Sequence, residues 1–151
     1  VQKLFNTWKQ YTITLKENAC RLKNSLGISR EDLPQIDEKN IPKFLEVLKN
    51  KKINVLETRI DVSKLKPAQN QLNWEKVETL MNKGLNFLLN GHPIFVSNDN
   101  IVIDGHHRYW ALNMLDQQAD ISVYQINLPV YECIHQMRMF KDAYSEDIDE
   151  F

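Results

Sequence analysis

The run Asp104-Gly105-His106-His107-Arg108 places five residues suited to handling phosphate side by side. It follows the apolar stretch Ile101-Val102-Ile103 and precedes Ala111, Leu112 and Leu115, which recur at helical spacing, so the expected order is strand, glycine turn, helix. The first N–H groups of a helix have no carbonyl to donate to, and the macrodipole adds positive potential there; an anion suits both. Gly105 carries no Cβ to hinder close approach of a ligand, and Arg108, one turn in, offers a bidentate fork for phosphate oxygens. His106 and His107 leave a helix about 100° apart, so they are not expected to chelate one metal together. One of them is expected to face the ligand, where it can donate a hydrogen bond or a charge. Asp104 can cap the helix, hold Mg²⁺ through water, or take a proton from a substrate hydroxyl.

The same residues admit a plainer account, with Asp104 as an N-cap and His-His-Arg as a solvated first turn. Against it stands the charge pattern: a helix start favours negative side chains, and this one carries an arginine and two histidines. A bound anion would remove that conflict, and local rule-breaking of this kind often marks function.

The elements around the turn follow from periodicity. Phe5, Trp8, Thr12, Leu15, Ala19 and Leu22 form a three-four stripe that predicts an amphipathic helix over residues 5–22, weakened by the β-branched cluster Tyr11-Thr12-Ile13-Thr14. Residues 27–40 read as a connection containing at most a turn of helix, with Ser29 and Asn40 as candidate caps. Ile41, Phe44, Leu45 and Leu48 predict a short core-facing helix with Pro42 in its first turn. Leu56, Thr58, Ile60 and Val62 alternate with charged residues, which predicts a half-buried strand ending at Lys66-Pro67. Trp74, Val77, Met81, Leu85 and Leu88 predict one longer helix stopped by Gly91. Residues 93–97 and 101–103 predict a hairpin turned at Asn98-Asp99-Asn100. A strand at 121–126, a helix at 131–143 and a frayed acidic tail at 145–151 complete the chain.

Bulk properties set the outer limits. A chain of 151 residues, 42% hydrophobic and 26% charged, suits a single globular core. Nineteen basic against twenty acidic residues give a formal charge of -1, which lacks the overall basic footprint of a nucleic-acid binder. Cys20 and Cys133 form no CxxC and are expected to be buried thiols. No stretch approaches the ~18 apolar residues of a membrane span and no leader pattern opens the chain, so a cytoplasmic location is expected. Val1 in place of a starting Met leaves a longer native chain open.

On these motifs, residues 54–127 resemble the ParB/sulfiredoxin superfamily. The likeness runs strand, Leu65-Lys66-Pro67-Ala68-Gln69, helix, Gly91-His92-Pro93-Ile94, strand, phosphate motif, helix, strand. ParB-type CTP-binding proteins resemble it with Gly-Glu-Arg-Arg, of which only Gly105 and Arg108 persist here. Sulfiredoxins carry a catalytic cysteine where this chain has His106, so cysteine chemistry is not expected. The motif is most similar to the free-serine-kinase branch and to phage or bacterial ParB-like proteins. That branch uses a glutamate after its first strand as base; the matching region here has Gln69 in the Pro-x-Gln position and no carboxylate until Glu75.

The resemblance implies an α+β fold, a small mixed sheet flanked by helices, with an N-terminal helical extension over 1–53, the main domain over 54–143 and the tail over 144–151. It implies ATP, ADP, CTP or another nucleotide as ligand with Mg²⁺, in the cytoplasm of a bacterial or phage-infected cell. Asp104 and His106 would be catalytic and Asp104 the metal ligand. Gly105, His106, His107 and Arg108 would hold phosphate, with Gln69 and His92 accessory. The first expectation is an Mg-dependent kinase or nucleotidase. The alternative is a non-catalytic nucleotide- or DNA-binding module that recruits a protein partner through its N-terminal helix, and a ParB-like nuclease is third. Near-neutral charge disfavours DNA, and Trp74, Trp110 and His135 are expected to serve packing or surface roles.

Overall fold

The strands β6 (Ile94–Val96) and β7 (Ile101–Asp104) are apolar at successive positions, so both of their faces must be covered. A computed structural model of the chain, describing residues 11–14, 19–22 and 25–143, shows how this is met. With β3 (Val55–Asp61), β4 (Lys66–Pro67) and β8 (Asp120–Ile126) they form a five-stranded mixed sheet of order β3-β8-β6-β7-β4. β8 runs antiparallel to β3 and parallel to β6, while β7 runs antiparallel to β6 and parallel to β4.

Alternation sends neighbouring side chains to opposite faces. Ile94, Val96, Val102 and Val123 meet a cluster built by α2 (Trp74–Lys83), α3 (Leu85–Leu89) and α4 (His106–Leu115). Phe95, Ile101, Ile103 and Ile126 meet the other, built by α1 (Ile41–Asn50) and α5 (Val130–Ala143). Helices therefore flank the sheet on both faces, as an α+β reading requires. Leu33 and Ile36 join the second cluster with Phe44 and Leu48, so the boundary expected after residue 53 runs through one shared core.

Three expectations need correction. Within the span read as a helix over 5–22, residues Tyr11–Thr14 form β1 and Ala19–Leu22 form β2, while 5–10 and 15–18 lie outside the described residues. The β-branched cluster prefers extended backbone, and β2 finds a ladder partner that local periodicity cannot reveal, β5 (Gln71–Asn73), giving a second sheet of order β1-β2-β5. The helix read over 74–88 is broken at Gly84, whose φ of 92° is closed to most side chains, and its second part ends at Leu89 with Asn90 as C-cap, directly before Gly91. Leu56, expected on a buried strand face, is 60% exposed because β3 is the sheet's outermost strand.

Trp110 is buried and Trp74 packs against the first cluster. Burial pushes the free Cys133 thiol up to about 12; the side chain of Cys20 lies outside the described residues. Among the described residues no helix is long and apolar enough to cross a membrane.

Candidate functional site

At the end of β7 the chain reverses through Gly105, at φ 96° and ψ 25°, and enters α4. Two constraints make this position glycine. A side chain there would sit in the left-handed region, and its Cβ would overlap Ile94 Cγ2 on β6. The missing Cβ thus serves contact with the neighbouring strand, a correction to the expectation that it makes room for a ligand. As N-cap, Gly105 brings no side chain to the first-turn amides of α4, and no acidic residue occupies that turn.

The two histidines do different work. His106 is 3% exposed, and its Nε2 accepts hydrogen bonds from the backbone N–H groups of both Ala68 and Gln69, each at 3.1 Å. Burial is the main reason its pKa falls to about 3, with His107 adding to the effect and a bond to the Val102 backbone opposing it. A neutral ring holding two amides cannot take a substrate proton or a phosphate without giving them up. His106 thereby ties the β4–β5 connection to α4 while lining the floor of the cleft at the start of that helix. Gln69 is likewise buried, with its side-chain amide donating to the Gln71 carbonyl.

His107 lies nearer the surface. Its Nε2 accepts from the Asn73 N–H at 3.0 Å, which leaves the proton on Nδ1. Burial, then Arg30 and Lys76, bring its pKa down to about 4. Burial thus favours the neutral form of both rings.

Arg108 and Asp104 flank a cleft of about 650 Å³ whose walls include Gly105 and His107. Arg108 lies against Gly91, and a Cβ there would overlap its Nη1 and push the guanidinium aside. Its Nε is buried and has no hydrogen-bond partner. Burial lowers the Arg108 pKa, and Asp104 and Glu38 act against that shift. The Asp104 carboxylate accepts from the Ile36 N–H at 2.9 Å, fastening the loop before α1 to the end of β7. Burial raises its pKa, opposed by bonds from the Ile36 and Gly105 amides and by His92.

His92 stands at the cleft with Nδ1 3.9 Å from Glu38 Oε1. Three further charged residues line the cleft that local spacing did not single out: Arg30, Glu38 and Lys76. Arg30 and Glu38 arrive from the connection before α1 and Lys76 from α2, so only tertiary packing assembles them. Three permanent cations, Arg30, Lys76 and Arg108, thereby share the cleft with two carboxylates. Among the described residues no group of three or more His, Cys, Asp or Glu could hold a metal. The Asp104 carboxylate lines the cleft with one of its oxygens accepting from the Ile36 amide. Compared with protein-family models, curated proteins and solved structures, the chain matches none.

Proposed function

We propose that the cleft at the start of α4 binds the phosphates of a nucleotide. One observation carries this reading: a half-buried Arg108 whose enclosed Nε has no hydrogen-bond partner, beside a helix start with no side-chain cap and no acidic residue in its first turn. A buried cationic donor without a partner costs stability, and so do uncapped amides; an anion between them relieves both. Arg30 and Lys76 add charge at the same cleft, and its volume lies in the range of small-molecule sites. The resemblance of Asp104-Gly105-His106-His107-Arg108 to nucleotide-binding ParB-like turns points the same way. Because His106 and Asp104 are committed to backbone amides, binding is better supported than turnover.

A second reading, phosphoryl transfer at this turn, is favoured by the carboxylates of Asp104 and Glu38 sharing the cleft. Thermal unfolding with ATP, ADP or CTP, each with and without Mg²⁺, tests the first reading, since a ligand selective for the fold raises its apparent Tm. At least one nucleotide should raise Tm by several degrees, and Arg108→Ala should abolish the rise; no shift with any of them defeats the proposal. Asp104→Asn separates the two readings. It removes a negative charge yet can still accept from Ile36, so binding should hold or strengthen, whereas phosphate release, if it occurs, should be lost.

A further inference from the structure

The five-stranded sheet ends differently at its two sides. β4 is two residues long and contains Pro67, which blunts that edge, whereas β3 runs for seven residues without a proline. Among the described residues no strand pairs with the outer side of β3. Asn127 donates to the Asn54 carbonyl at one end of the β3–β8 ladder and Val62 donates to Ala119 at the other. Antiparallel alternation therefore turns the backbone groups of Leu56, Thr58 and Ile60 toward β8 and those of Val55, Glu57, Arg59 and Asp61 outward.

The sequence of this edge is complementary to itself. In an antiparallel pairing of two β3 strands about a twofold axis at Thr58, Glu57 of each copy lies directly opposite Arg59 of the other. Leu56 lies opposite Ile60 on the other face. This register uses the outward groups of Glu57 and Arg59 as its hydrogen-bonded pairs, so ladder geometry and side-chain charge select the same alignment. It also covers Leu56, which is 60% exposed in a single chain. Arg59 bonds Ser122 Oγ and the Asp120 carbonyl of β8 within its own chain, so Glu57 of a second copy competes with those exposed bonds for its guanidinium.

We infer that β3 is a dimerisation edge that pairs with β3 of a second copy of this chain, joining two five-stranded sheets into one of ten strands. The interface is isologous, and its two Glu57–Arg59 pairs set the register. A slip of one residue would bring the apolar and charged faces into conflict.

Light scattering on the full chain across a dilution series tests this. The wild type should give twice the 17.8 kDa of one chain, falling toward the monomer on dilution. Glu57→Arg sets like charges opposite each other twice and should weaken the dimer about tenfold or more. The charge-swapped double variant Glu57→Arg, Arg59→Glu restores opposite charges and should recover most of the loss, with far-UV circular dichroism unchanged throughout. A wild type that stays monomeric up to its solubility limit overturns the inference, as does a dimer indifferent to Glu57→Arg or one that the double variant weakens further.

Discussion

At the scale of single residues, the two adjacent histidines show how little a motif says about direction. His106 and His107 both resemble ligand-facing groups in the sequence, yet each accepts a backbone N–H, and His106 is buried at the floor of the cleft. Their pKa values near 3 and 4 mean that the fold binds fewer protons than the unfolded chain as pH drops below about 6.5. The stability each histidine supplies is complete above that value and is lost as pH falls toward the depressed pKa. For His106 alone the loss is about 1.4 kcal/mol per pH unit through the middle of that window. Asp104 works the other way: its raised pKa makes acid favour the fold, over the range between its unfolded and folded values. Replacing His106 by Gln keeps an acceptor for Ala68 and Gln69 but removes the titration. Urea unfolding at pH 7, 6 and 5 should therefore give a shallower pH slope in the variant, and equal slopes would refute the buried neutral imidazole.

At the scale of elements, the turn into α4 was legible because its cues are local. A strand, a glycine and a helical run are adjacent in the chain, and the structure keeps that order with Gly105 in the left-handed region. Gly84 also has positive φ, but no atom lies near where its Cβ would be, while that of Gly105 would meet Ile94. Gly84→Ala should then cost only backbone strain, about 1–3 kcal/mol. Gly105→Ala adds displacement of β6 and should cost about 1–3 kcal/mol more. Denaturant midpoints of the two variants would show it, and an equal or reversed order would mean that the Ile94 contact yields easily. The segment read as one N-terminal helix was illegible for the opposite reason: the strand character of Ala19–Leu22 depends on Gln71–Asn73, fifty residues away in the sequence.

At the scale of the whole molecule, the segment before residue 53 is part of the central packing. Phe44 meets Phe95 and Phe140 edge to face, with ring centroids 5.4 and 5.1 Å apart. Phe44→Ala should destabilise the entire fold by about 3–5 kcal/mol, in one transition seen alike by fluorescence and circular dichroism. Separate transitions would indicate that the N-terminal part unfolds by itself. The sequence alone determined the alternating strand, the core-facing helix that begins at Ile41 and the turn at Gly105, because each rests on contacts within a few residues or on a period carried by one segment. Only the tertiary structure decided that Arg30, Glu38 and Lys76 share a cleft with Arg108, that His106 turns inward, and that β3 lies at the edge. Those facts depend on which segments pack together, and packing partners are chosen by the burial and hydrogen bonding of the whole chain, which no local spacing encodes.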